Sequence, residues 1–305
     1  MRIVFMGTPQ FAVASLDELI QHGSNIVAVV TAPDKPAGRG QKVTESAVKQ
    51  YAVANGIKVL QPEKLKSPEF LEQLKALNAD LQVVVAFRML PEVVWSMPHK
   101  GTINLHASLL PQYRGAAPIN WVLINGEKES GATTFFLKHE IDTGDILFTE
   151  KITLTGSETA GELHDRLMNK GAGLLVKTVK AIESGRYHEH PQAQIAVDTE
   201  LKHAPKLTKE TGIIDWTQTA ISIYNLIRGL SPAPSASTTL NGKNIKIYIA
   251  EYQETEPAIQ PGGFLTDNKT YLKFAAKDGF VILKDVQLEG KKRMGIEEFL
   301  RGVKL

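Results

Sequence analysis

Through the first 140 residues, short apolar runs alternate with segments whose apolar side chains return every three or four positions. The runs Arg2–Met6, Asn25–Val30, Ile57–Leu60, Leu81–Ala86, Thr102–His106 and Thr133–Leu137 predict strands. The stretches Pro9–His22, Glu45–Asn55, Pro68–Leu77, Pro91–Met97 and Pro118–Asn125 predict helices. Strands and helices in alternation predict an α/β, Rossmann-like domain: a parallel sheet with helices on both faces. Leu81–Ala86, rich in valine, fits a strand buried on both sides. A long helix is expected over Thr159–Ile182.

The pattern changes after residue 186. Tyr187-His188-Glu189-His190-Pro191-Gln192-Ala193-Gln194 is polar and without period, so a linker is expected over 188–205. Beyond a helical stretch at Thr219–Leu230, strand signals dominate. Asn241-Gly242 and Asp278-Gly279 lie between them and predict tight hairpin turns. Short strands with regular turns point to a smaller C-terminal β-barrel of the oligonucleotide-binding (OB-like) type. The expected division is 1–187 for the catalytic domain and 206–305 for the second domain. The chain has no internal repeat and no low-complexity tract.

A length of 305 residues suits one large and one small domain. There is no cysteine, which removes disulfides, thiolate nucleophiles and cysteine-based zinc sites. The opening Met1–Gly7 reads as a strand, too short for a signal peptide. No apolar run reaches the length of a membrane span, so a cytoplasmic protein is expected. Net charge is only +2, but residues 201–305 carry 15 Lys+Arg against 11 Asp+Glu, a mild invitation to a polyanion.

Candidate chemistry centres on Thr102–His106. Alternation in a strand puts Ile103 and Leu105 on one face and Asn104 and His106 together on the other. An amide donor beside a titratable base suits acyl chemistry, although an Asn and a His satisfied by local hydrogen bonds look the same in sequence. Ligands of open α/β sheets bind beyond the carboxyl ends of the strands, where this pair sits. Asp142, in the turn-rich Glu140–Asp145, is a carboxylate that could favour the protonated imidazole. Asp145 and Glu140 are nearby decoys. Arg114, between Pro111 and Pro118, is equally compatible with a structural ion pair. The loop Thr31–Lys42, with Lys35, Arg39 and Lys42, could admit an anionic partner or be a solvated excursion. Gly7-Thr8-Pro9 lacks the dinucleotide fingerprint. His188-x-His190 is too sparse for a metal site, and no metal is expected.

Together these residues resemble one family. Asn104-x-His106, Ser108-Leu109-Leu110-Pro111, Arg114-Gly115-Ala116-Ala117-Pro118-Ile119 and Asp142-Thr143-Gly144-Asp145 are similar to motifs of the folate-dependent formyltransferases. Gly7-Thr8-Pro9, Pro36-Ala37-Gly38-Arg39-Gly40, Lys206–Glu210, Ile214-Asp215-Trp216 and Gly290–Met294 resemble the branch that acts on aminoacyl-tRNA. The resemblance spans nearly the whole chain. It implies transfer of a formyl group from 10-formyltetrahydrofolate to initiator Met-tRNA for translation initiation. It also implies a catalytic trio Asn104, His106 and Asp142 and a folate-binding run Ser108, Leu109, Leu110 and Pro111. Contacts of Arg39, Lys42, Lys206 and Lys209 with tRNA follow in the same way, with 206–305 as the tRNA-binding domain. No metal, no membrane partner and a monomer are expected.

Three places depart from the family pattern: Arg88 in Ala86-Phe87-Arg88, Glu140 in Lys138-His139-Glu140, and Ala233 in Ser231-Pro232-Ala233-Pro234. Four rival readings stay open. They are a formyltransferase acting on a nucleotide-linked amino sugar, a formyl-folate hydrolase, a tRNA-binding protein without catalysis, and a dinucleotide oxidoreductase disfavoured by the failed glycine pattern.

Overall fold

The computed structural model describes residues 1–37, 42–195 and 200–303. Its first sheet has seven strands. From Arg2–Gly7 the chain lays Asn25–Val30 and then Val59–Leu60 to one side. It crosses back to Leu81–Val85 on the other side, followed by Thr102–His106. All five strands are parallel, as the alternation predicts. The reversal between Arg2–Gly7 and Leu81–Val85 is a topological switch point, where such sheets open a crevice at their carboxyl ends.

The sheet then changes character. Glu129–Phe136 runs antiparallel to Thr102–His106, with Ile103 opposite Phe136 and His106 opposite Thr133. Ile146–Thr153, which the hydrophobic pattern does not predict, forms the edge. Residues 137–145 join these two strands, and so short a connection can make only a hairpin, never a parallel crossover. Val4 and Met6 of the central strand pack with Phe70, Leu74 and Val94 from the helices Pro68–Ala76 and Glu92–Trp95.

The chain divides into two compact units that are discontinuous in sequence. The first comprises 1–114, 131–152 and 164–202; the second comprises 115–130, 153–163 and 203–305. This differs from the contiguous division expected at 188–205. The helix Pro118–Ile124 joins the second unit because it lies against Ala220–Leu230. Asn120 Nδ2 donates to the Gly229 carbonyl at 2.7 Å. A Cβ on Gly229 would sit 2.7 Å from Ile124 Cγ1 and 3.0 Å from the Ile124 nitrogen, so only glycine permits the approach. Residues 188–195 belong to the first unit, with a short helix Gln192–Ile195 where a featureless linker was expected.

In the second unit a six-stranded antiparallel sheet forms a half-barrel, consistent with the OB-like expectation. Asn241 and Gly242, both at positive φ, make the two-residue turn between Ala236–Leu240 and Lys243–Gln253. Ile223, Ile227 and Leu230 of the Ala220–Leu230 helix share a core with Ile245, Ile247, Phe274 and Val281. Trp216 stacks on Phe274 at 4.6 Å between centroids and donates Nε1–H to Thr238 at 2.9 Å.

The tight helix crossing generates a test. Gly229→Val should destabilise the protein by about 1–3 kcal/mol through overpacking, read as a lower urea midpoint with unchanged m-value. An unchanged midpoint would mean the two helices part freely.

Candidate active site

Asn104 and His106 project from one face at the carboxyl end of Thr102–His106, as the strand period requires. Asn104 is half-buried; His106 is buried. His106 Nε2 lies 2.9 Å from the carbonyl oxygen of Tyr113. A carbonyl only accepts, so Nε2 carries the hydrogen. The remaining ring nitrogen, Nδ1, faces Asp142 Oδ2 at 3.8 Å. That separation is an ion-pair distance when the ring is protonated and too long for a direct hydrogen bond. Both side chains are largely enclosed, at 7% and 11% exposure, so the pair is poorly screened. His106 and Asp142 therefore meet from two segments, with Asn104 two residues before the imidazole on the same strand face.

Asp142 stands in the hairpin 137–145 with φ +55°, a left-handed conformation uncommon outside glycine. Gly144 follows because a Cβ there would lie 1.6 Å from the Phe136 carbonyl oxygen. Lys138 Nζ meets Asp145 Oδ2 at 2.7 Å, which accounts for Asp145 without chemistry. Gln192, 2% exposed, donates Nε2–H to the carbonyls of Asp142 at 2.9 Å and Gly144 at 2.8 Å. Its Oε1 accepts from Arg114 Nε at 3.0 Å and Nη2 at 2.7 Å. Arg114, which the sequence left compatible with a structural ion pair, is thus bound to an amide.

The run Ser108–Pro111 leads away from the pair. Ser108, Leu110 and Pro111 are buried, and Leu109 is half-buried. Ser108 Oγ donates to the Gln112 carbonyl at 2.7 Å, and the Ser108 carbonyl accepts from Thr133 Oγ1 at 2.7 Å. Tyr113, at φ +60°, is fastened by its N–H to the Lys202 carbonyl at 2.7 Å. Gln112 pairs with the backbone of Glu200 and Lys202.

Arg88 Nη1 donates to the Glu63 carbonyl at 2.9 Å, and Nη2 to that of Pro62. Burial pushes its guanidinium below the usual arginine range. Arg39 lies outside the described residues. Lys42 begins the strand Lys42–Thr44, paired with Lys35–Ala37. At the root of this hairpin Thr31 Oγ1 bonds Ser46 Oγ at 2.7 Å, and Asp34 accepts from Gln61 at 2.7 Å and from Lys49. Those two donors, Lys49 foremost, hold the Asp34 carboxyl below its usual range. Lys206 and Lys209 are exposed in the second unit. Among the described residues no group of three or more His, Cys, Asp or Glu could hold a metal ion, and no helix is long and apolar enough to cross a membrane.

Residues 1–179 match the family profile described as formyl transferase, and residues 206–304 match its C-terminal domain. The chain belongs to the formyl transferase family. It is 52% identical over 310 residues to methionyl-tRNA formyltransferase of Bacteroides fragilis, covering 100% of this chain and 96% of that protein. It is 54% identical over 311 residues to methionyl-tRNA formyltransferase of Parabacteroides distasonis, with the same coverage. Among solved structures, an N-formyltransferase from Helicobacter canadensis in complex with folinic acid and dTDP-3-aminofucose superposes with a TM-score of 0.69 at 22% identity. That superposition covers 96% of this chain and 99% of the other, and shows the shared fold.

Sequence reasoning missed Tyr113 as the anchor of His106 and Gln192 as the clamp on the Asp142 turn. The close approach at Gly144 supplies a prediction. Gly144→Ala should leave a folded protein, by circular dichroism, whose formyl transfer is about 100-fold slower, the scale of loss for a misplaced reacting group. Unchanged transfer would mean the turn can move without consequence.

Proposed function

We propose that this chain transfers the formyl group of 10-formyltetrahydrofolate to the free amino group of methionine on initiator Met-tRNA. The observation that carries the reading is the approach of Asp142 to His106, with Asn104 two residues before the imidazole on the same strand face. It is supported by full-length relatives at about half identity that bear the methionyl-tRNA formyltransferase name. A cytoplasmic setting and action as a monomer complete the reading.

In this reading the neutral amine attacks the formyl carbon on N10 of the folate. A carbon–nitrogen bond forms and negative charge develops on the former carbonyl oxygen. The Asn104 amide donates to that oxygen. With Nε2–H committed to the Tyr113 carbonyl, His106 meets the reactants through Nδ1. Neutral, it accepts the proton that the amine sheds; protonated, it donates Nδ1–H. The Asp142 carboxylate stabilises the imidazolium across the 3.8 Å gap. The proton then passes to N10 as the bond from carbon to N10 breaks. No covalent enzyme intermediate is needed. Because Ser108, Leu110 and Pro111 are buried, folate contacts from this run fall to its backbone and to Leu109. Arg39, Lys42, Lys206 and Lys209 are assigned to tRNA phosphates, with the second unit as the tRNA-binding part.

Transfer of labelled formyl from the folate to purified Met-tRNA tests donor, acceptor and reaction together. Transfer only to a nucleotide-linked amino sugar, or release of formate without acceptor, would overturn the reading. In single-turnover transfer, Asn104→Ala should lose about 100- to 1000-fold, as for an oxyanion donor. His106→Ala and Asp142→Ala should lose roughly 100- to 10,000-fold. Wild-type rates in all three folded variants would remove the assigned roles.

The phosphate contacts make a separate prediction. Lys206→Ala and Lys209→Ala should weaken tRNA binding, leave folate affinity unchanged, and flatten the salt dependence of affinity by roughly 0.7–0.9 in log–log slope per lysine. Arg39→Ala should slow tRNA-dependent transfer with little effect on folate binding. A flat salt response of the wild type would count against all three contacts.

A further inference from the structure

We propose that Gln192, held by Arg114, is a positioning residue that sets Asp142 against His106; this rests on the catalytic reading of those two residues. The amide is buried and fully used. Its two N–H bonds go to the carbonyls of Asp142 and Gly144, and its oxygen takes two N–H bonds from the Arg114 guanidinium. The two carbonyls straddle the turn that presents the carboxylate. A non-glycine residue at φ +55° is uncommon and persists where its surroundings over-determine it. Gln192 supplies part of that determination.

The other end of the chain of contacts reaches His106. Arg114 directly follows Tyr113, whose carbonyl fixes the ring through Nε2. A closed path therefore runs from the imidazole to the Tyr113 carbonyl, along the backbone to Arg114, across to Gln192, and on to the Asp142 backbone. It encloses the 3.8 Å gap between Nδ1 and Oδ2. Gln192 touches neither reactive group; it fixes the distance between them. Glutamate at this position keeps an oxygen for Arg114 but, when ionised, turns a second oxygen toward two carbonyl oxygens and has no hydrogen to offer them. The clamp would reverse into a repulsion at nearly constant volume.

The experiment is single-turnover formyl transfer at saturating donor and Met-tRNA for the wild type, Gln192→Glu, Asp142→Asn and the double variant, with both substrate affinities measured by titration. Gln192→Glu should slow the transfer step about 10- to 100-fold, with both affinities within twofold of wild type. It should add nothing further in the Asp142→Asn background. Arg114→Lys, which removes the fork that holds the amide, should show the same pattern more weakly, and it decides the matter if Gln192→Glu does not fold. A full rate in folded Gln192→Glu, a loss confined to substrate affinity, or a loss that multiplies independently onto Asp142→Asn would each overturn the inference. Wild-type transfer by Asp142→Asn itself would instead retire the catalytic reading, and the inference with it.

Discussion

The hydrogen bond from His106 Nε2 to the Tyr113 carbonyl decides what the site can do. It fixes the tautomer, turns Nδ1 toward Asp142, and leaves the imidazole one working nitrogen. Everything around Tyr113 serves to aim that carbonyl. The residue sits at φ +60°, a conformation unfavourable for a bulky side chain. The peptide group that enters it is held at both its oxygen and its nitrogen. The Ser108 hydroxyl holds Gln112, and the Lys202 carbonyl takes the Tyr113 N–H. A left-handed residue on each side of the imidazole, Tyr113 and Asp142, marks where the backbone bends to bring two segments to one place.

The sheet explains why this place exists. Five parallel strands end on one edge, and the strand carrying Asn104 and His106 is the last of them. The next strand is antiparallel, with His106 opposite Thr133 and Ile103 opposite Phe136, so the hairpin after it leaves at the far end of the pair and must turn back to set Asp142 against the imidazole. The conformation of the hairpin, with Asp142 at positive φ, is what brings a carboxylate back to the strand. Gly144 is the steric condition, because no side chain fits against the Phe136 carbonyl.

Much of this was legible in the sequence. The five parallel strands and the helix Pro118–Ile124 follow from periodicity alone, with ends displaced by a residue or two. Asn104 and His106 stood out because strand alternation puts them on one face regardless of tertiary context. Asp142 stood out by resemblance to a family; in a turn among other acidic residues, no local pattern separates it from Asp145. Ile146–Thr153 escaped because its polar residues 149–151 break the apolar run at an edge, where one side faces water. Gln192 was illegible for a different reason. It lies in a polar, aperiodic stretch, and its partners are 50 and 78 positions away. Local patterns report how a segment folds; they are silent about a side chain whose role is to tie distant segments.

The interleaving of the two units bears on how the protein is made. The helix Pro118–Ile124 leaves the ribosome with Ile124, which packs against the core of the second unit, as yet without that core. Asn120 bonds to a residue synthesised 109 positions later. Until Ala220–Leu230 emerges, the nascent polypeptide carries an uncovered greasy helix in its middle, a ready target for chaperones. A truncated product ending near residue 187 would retain that exposed surface permanently. A cut at the apparent linker therefore separates the helix Pro118–Ile124 from its partner, and any exchange of the C-terminal part must refit a helix encoded far upstream.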